Sequence, residues 1–566
     1  MRDPALGSRR LVLRNGKVIT VNARFDIAQA IALSGDHIDA VGSNANIAPL
    51  IDADTRVIDL NGRTVVPGLT DAHAHMDREG LKEALPSMAG VRSIDDILQR
   101  IESLVRDRKP GEWIVTMPLG EPPEFEGMPE LLRERRFPTR SDLDRVAPHN
   151  PVFIKPGWGY WRVTQPLVGV ANSRALAAAG IAADTQSPAP SLVIDRDAGG
   201  VPTGIFRDFN AMPISELTLM RVAPMFDLAT RVGALARSMQ IYNSFGTTSV
   251  FEGHGVAGDV IAAYQRVHDI GPSVRATLLF SPAWRDTTEA DIKTLITGWG
   301  RWLAGRGLGD NWLRIQGLFT EVDTSVEHGL RRAAFPNTGW AGFNYAGLPR
   351  DAVKVLLTEC ARNGIRVEVI GASLLDMIAE VARATPIDGQ RWVLAHLTTL
   401  NQHEIETVRD LGLVVTTHSN AYIYKRGAAL RDSIGAARED DVVPLRRLID
   451  TGVPVALATD NVPVSLWHPI WQVVARIDRT INATVAPAQA LTREEALRCA
   501  TLGGAYLTFD ETRKGSLEPG KLADLVVLSQ DPLTCDLAVL RDTVAAMTIV
   551  NGEIVFDRTK TDPVTR

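Results

Sequence analysis

Cysteine is scarce in this chain. Only Cys360, Cys499 and Cys535 occur among its 566 residues. An odd, scattered set argues against a disulfide framework and fits a reducing cytoplasm, and no two of the three stand at metal-ligand spacing. Long apolar runs are missing as well. None approaches the roughly 20 residues a membrane helix needs, and the start, "MRDPALGSRRLVLRNGK", lacks the apolar core of a signal peptide. No excess of positive charge exists: the net charge is −6, so nothing points to nucleic acid or another polyanion. What is present is an ordinary globular balance, 45% hydrophobic and 23% charged, in a chain too long for one simple domain. These features lead us to expect a cytoplasmic protein; a small-molecule substrate and assembly as a homodimer or larger homo-oligomer are expected besides.

Both ends read as strands. "LVLRNGKVITV" and "TRVIDLNGRTVVPG" each hold two β runs around Asn-Gly, and "QAIALSGDHIDAVG" has Gly-Asp at its turn. Near the other end, "AAMTIVNGEIVF" repeats the pattern. Each predicts a hairpin. Either end alone is too small to bury a sheet face, so the expected solution is one β-sandwich built from 1–66 and 506–566.

The middle alternates. "GTTSVFEGH", "SVRATLLFSP", "LRIQGLFTEV", "GIRVEVIGA", "QRWVLAHL", "GLVVTTHS" and "GVPVALATD" are short apolar strands, most of them separated by helix-like stretches such as "PRDAVKVLLTECARN". Such alternation implies a parallel sheet. With "TVVPGLTDAHAH" the strands number eight. Residues 67–505 without 81–240 leave 279 positions, near the about 250 of a (β/α)₈ barrel. The expected architecture is therefore an α/β fold: a (β/α)₈ TIM barrel from 67–80 and 241–505, with 81–240 inserted after strand one to cover the barrel mouth.

Polar residues then fall at the strand ends. His73 and His75 close strand one, Glu252 and His254 strand two, Glu321 and Asp323 strand four. Glu368 lies on strand five; His396, His418 and Asp460 end strands six, seven and eight. In such barrels the C-terminal strand ends meet around one mouth, where the chemistry occurs. Alternation along a strand puts His73 and His75 on one face, and Ala74 between them is too small to crowd them. Two imidazoles so placed suit one divalent ion at about 2.0–2.1 Å each.

The chain resembles the amidohydrolase superfamily. "PGLTDAHAH" at 67–75 matches the family's PGxxDxHxH, Asp460 in "ALATDNVP" its late aspartate, and "GSLEPGKLADLVVL" its tail. "FPTRSDLDRVAPHNPVFI" and "NSRALAAAGI" resemble the inserted region of the N-substituted-formamide deformylase-like (YtcJ-like, amidohydrolase 3) branch. Two departures stand out. The branch's strand-four lysine, carbamylated and bridging two metals, is replaced by Gln316 and Gly317 in "IQGLFTEVD". Its strand-five histidine is replaced by Glu368 in "EVIGA".

The resemblance implies a metal-dependent hydrolase of C–N bonds. Amide hydrolysis needs an activated water and a group that moves its proton to the leaving nitrogen. The expected metal ligands are His73, His75, Asp460, Glu368 and His396, holding one or two divalent ions: zinc first, manganese or iron(II) as alternatives. Asp460, His396 and Glu368 are the expected catalytic groups. His254, Glu321, His418, Trp158, Tyr160, Tyr422 and Trp467 are expected to face the substrate, and the aromatics among them favour an aryl or bulky apolar one. Ester or lactone hydrolysis, or decarboxylation, would use the same site. A degenerate barrel that only binds is the alternative from another class.

Overall fold

The protein is described by a computed structural model covering residues 10–161, 164–284, 288–336 and 338–560. Eight parallel strands follow one another around a barrel: Leu69–Asp71, Thr247–Val256, Arg275–Phe280, Leu313–Phe319, Val367–Ile370, Val393–Ala395, Val414–Thr417 and Val455–Leu457. We number them one to eight. Each of the last seven holds part of an apolar run read from the sequence. Helices separate them, and local sequence sets their starts. Asn401 caps Gln402–Asp410 by accepting from Glu404 N, while the Glu404 carboxylate accepts from Asn401 N.

Strands one and eight meet through Asp71. Its carboxylate accepts from Thr459 N and Oγ1 on the strand-eight side and from His73 N on its own. Ala72 N also donates to Leu457 O at 3.0 Å. Burial pushes the Asp71 carboxyl up to about 6, against those hydrogen bonds. Asp71→Ala would orphan two backbone donors and a hydroxyl inside the protein. The expected cost is about 2–5 kcal/mol, read as a lower urea midpoint. An unchanged midpoint would show that the barrel closes without this carboxylate.

Two further sheets pack on each other. One has four strands, in the order His37–Gly42, Ala30–Ser34, Leu11–Arg14 and Arg56–Asp59. The other has six and draws on both chain ends: Glu553–Asp557, Ala545–Val550, Leu525–Leu528, Thr64–Pro67, Lys17–Ile19 and Ile27–Ala28. Leu11, Leu13, Ile31 and Leu33 of the first bury against Val18, Val65, Leu525 and Ile549 of the second. The hairpins at Gly35-Asp36 and Asn551-Gly552 form. The two expected at Asn15-Gly16 and Asn61-Gly62 do not. There the chain crosses from one sheet to the other, and the two bends run side by side, Gly62 N donating to Asn15 O at 2.8 Å. Asn15 and Asn61 take the left-handed conformation the motif favours, φ 58° and 49°. Yet a sandwich corner needs the same tight bend as a hairpin. A Cβ on Gly16 would overlap the Leu60 side chain, so glycine there admits the neighbouring bend.

Segment 81–240 carries a five-stranded sheet, in the order Leu192–Arg196, Pro202–Asp208, Leu167–Ala171, Val152–Ile154 and Ile114–Thr116. Among the described residues no helix is long and apolar enough to cross a membrane. All three cysteines are free, with Cys360 and Cys499 buried.

Candidate active site

Five histidines from four strand ends pack into one buried cluster. Ala74 N donates to Phe251 O at 2.9 Å, so pairing with strand two continues past the formal end of strand one. This carries His73 and His75 into the mouth, ring centroids 5.2 Å apart. His73 Nε2 lies 2.8 Å from His254 Nδ1, which is 3.3 Å from His75 Nε2. On the other side of His73, the rings of His396 and His418 stack at 3.8 Å. One ring nitrogen each of His73, His75 and His254 lie within 4.8 Å of one another, as do those of His73, His396 and His418.

Burial keeps four of these rings neutral. It pushes His75, His254 and His418 well below the ordinary histidine value and His396 down to about 3, helped by positive neighbours. A neutral imidazole offers a lone pair, as a metal requires. Several atoms in the cluster lack a hydrogen-bond partner: His73 Nδ1, His396 Nε2, both His418 nitrogens and both Glu368 oxygens. Orphaned ring nitrogens and a carboxylate converging in one buried place are a donor set that fits a divalent cation.

The carboxylates flank the rings. Asp460 Oδ1 is 3.0 Å from His75 Nε2 and Oδ2 is 3.7 Å from His418 Nδ1. Glu368 Oε1 is 2.8 Å from His73 Nδ1 but off the line of an N–H bond, so the two groups touch without a hydrogen bond. Glu252 accepts from Tyr264 Oη at 2.6 Å and Met76 N at 2.8 Å, with its other oxygen 3.9 Å from His75 Nδ1. Asn461 holds His75 from behind, accepting from His75 N and donating to His75 O. His396 and Asp460 both sit at φ 53°, a left-handed conformation costing about 1–2 kcal/mol each for such residues. Strain of this kind gathers where a side chain must be aimed rather than merely accommodated.

Gly253 makes the room. A Cβ there would overlap His73 Nδ1 and the Glu368 carboxylate. Gly253→Ala is therefore expected to push those two groups apart, lowering bound metal and turnover by about 10²-fold, since ångström-scale displacements have that effect. Wild-type metal content in this variant would mean the cluster tolerates a wider spacing.

The cavity beside the cluster has about 440 Å³ of empty space, its open mouth included. His75, His254, Glu321, Asp460 and Trp158 line it, with Arg78, Arg331, Phe343, Tyr345, Met212 and Ile370 among the others. Burial pushes Glu321 up to about 7. Tyr422 Oη is 3.0 Å from His396 Nδ1. Thus His254, Glu321 and Trp158 reach the cavity, and Tyr422 and His418 stand behind it against His396. Trp467 does not line it: the side chain is buried in the barrel's outer core and its indole N–H donates to Phe245 O at 3.0 Å. The Tyr160 side chain lies outside the described residues. Gln316, in the slot of the lysine, turns to Arg366 and Thr508 instead of the histidines. Arg78, Arg331 and Asn461 escaped the sequence reading, although Arg78 follows His75 by three residues and Asn461 adjoins Asp460.

The chain is similar to known proteins over nearly its whole length. The amidohydrolase family model matches residues 56–556. The N-substituted formamide deformylase of Arthrobacter pascens is 28% identical, over 97% of this chain and 99% of its own. Protein LONG AFTER FAR-RED 3 of Arabidopsis thaliana is 26% identical, over 92% and 87%. An uncharacterized metal-dependent hydrolase of Pyrococcus horikoshii shares the fold with a TM-score of 0.66 at 20% identity, over 94% of this chain and 99% of that one.

Proposed function

The chain belongs to the amidohydrolase family, and from that premise we propose that it hydrolyses the C–N bond of a small amide bearing an aromatic or bulky apolar group. The buried histidine cluster with Asp460 at its edge carries this reading. His73, His75 and His254 would hold a divalent ion, zinc first, with Asp460 beside them; His396, His418 and Glu368 offer a second set around the same His73. Such an ion, when bound, acidifies water and polarises a carbonyl.

The chain's own groups do the rest. Asp460 takes the proton of the attacking water on a carboxylate oxygen and returns it to the leaving nitrogen, which departs as an amine. Its contact with His75 and its strained backbone hold that carboxylate toward the cavity. Where no second ion is held, Tyr422 O–H donating to His396 Nδ1 leaves the hydrogen of the neutral ring on Nε2. That N–H has no protein partner and supports an oxygen on which charge develops. Phe343, Tyr345 and Trp158 provide apolar walls that exclude water. The relative that acts on N-substituted formamides supports formamides as the first substrates to try. We also read the chain as three units, 1–66 with 506–566, 67–80 with 241–505, and 81–240, a division that the separate sheets support.

The test is an assay of metal-loaded protein against formamides, longer acyl amides and esters in ¹⁸O-labelled water, beside elemental analysis. Free amine with one ¹⁸O in the acid product is expected. Ester cleavage with every amide left intact would overturn the reading, as would failure to retain any divalent metal.

A further inference from the structure

Arg78 is a buried cation without a counter-ion. It sits on Met76–Glu79, the short helix that leaves strand one, and is 3% exposed. Its Nε and Nη2 have no hydrogen-bond partner, and among the described residues it makes no ion pair. Its guanidinium lies 5.9 Å from the Trp158 ring centre and 5.6 Å from that of Phe343. A guanidinium cannot shed its proton to escape burial. Burial disfavours its charge, and Asp77, Asp460 and Glu252 offset that only from a distance. An arrangement of this sort is costly unless something completes it.

A second guanidinium lies close by. Arg331, 8% exposed, stacks on Phe343 at 4.2 Å. Phe343 in turn stacks on His254, rings 5.0 Å apart and 10° from parallel. Arg78 and Arg331 therefore open into the same cavity as His75, His254 and Asp460. Two permanent positive charges face Asp460 and a Glu321 whose carboxyl burial pushes up to about 7. The apolar walls leave a bound anion little water to return to.

We propose that Arg78, with Arg331 beside it, binds a carboxylate of the substrate, so that the amide taken by this site is an N-acylated amino acid. A guanidinium's planar fork matches a carboxylate in two parallel hydrogen bonds, which a rounder anion cannot use as well. The aromatic walls fit an aryl or large apolar side chain between the carboxylate and the scissile bond. The inference rests on the reading of the site as an amidase and adds to it the class of substrate.

N-formylphenylalanine and N-formylphenethylamine differ only by the carboxylate, so the metal-loaded enzyme should be assayed on both. The acid is expected to have a kcat/KM at least about 10²-fold higher, mostly through KM. Arg78→Met should bring the ratio near one, and Arg78→Lys, which keeps a charge without the fork, should restore part of it. Phenylacetate binding, followed by calorimetry, needs no turnover and should weaken by about 10²-fold in Arg78→Met. A wild-type ratio near one would overturn the proposal without help from any variant. So would an undiminished ratio or undiminished phenylacetate binding in Arg78→Met. Arg78-dependent phenylacetate binding without hydrolysis of either amide would sink the amidase reading and leave the carboxylate site standing.

Discussion

His73→Ala should remove most of the bound metal and lower turnover by about 10³-fold or more. The residue belongs to both groups of converging nitrogens. Its ring makes edge contacts with His75, His254, His396 and His418 at centroid distances of 4.5 to 5.2 Å. No other side chain is shared in this way. A metal's transition-state stabilisation is worth several kcal/mol, and each 1.36 kcal/mol is tenfold in rate, which sets the size of the loss. The barrel should survive, because Asp71 ties strand one to strand eight with its own side chain and accepts from the backbone of residue 73, not from the imidazole. Elemental analysis with a melting curve separates the two effects. A folded His73→Ala protein that keeps its full metal would show that the ion sits away from both groups.

The residues that could be read without a structure share one property: periodicity carries them. Apolar runs of four to eight residues alternating with helical stretches fix the eight strands, and the strand ends then gather His73, His75, His254, His396, His418 and Asp460 by topology alone. What escaped is decided by packing. Asn-Gly bends the chain equally well for a hairpin and for a sandwich corner, and only the competition between two sheets decides which. Trp467 follows a strand end as a pocket residue would, yet its partner is a backbone carbonyl in the core. Arg78 looks like a solvent-facing helix residue until inserted Trp158 and loop residue Phe343 close over it. Burial supplied by distant sequence is invisible in a local pattern, and it is burial that turns a charged side chain into a binding group.

The departures from the resembled branch also gain a physical account. Gln316 keeps its place on strand four but pairs with Arg366, while a Cβ at Gly317, φ 133°, would meet the Arg366 carbonyl at 2.6 Å. The slot where a bridging lysine would stand is thus turned away from the histidines. We propose that Glu368, whose carboxylate lies against His73 with no hydrogen bond, supplies the anion in its place.

Glu368→Gln keeps the shape and removes the charge. Glu368 is fully buried, lies 2.8 Å from His73 Nδ1 and has no hydrogen bond on either oxygen. A carboxylate left so is expensive in the metal-free protein, and a cation is what would repay it. Two effects of opposite sign should therefore appear together. Without metal, the glutamine variant should melt higher than wild type, because an unpaired buried anion is gone. With metal, it should gain less, because a neutral amide oxygen is the poorer donor. An affinity about 10²-fold weaker would remove about 2.7 kcal/mol of metal-induced stabilisation at saturating metal, and kcat should fall by about 10²-fold or more. Melting curves with and without zinc, beside the rate, decide it. A higher metal-free melting point with undiminished zinc stabilisation and turnover would make Glu368 a group that only packs against His73, and the negative charge of the site would then have to come from Asp460 alone.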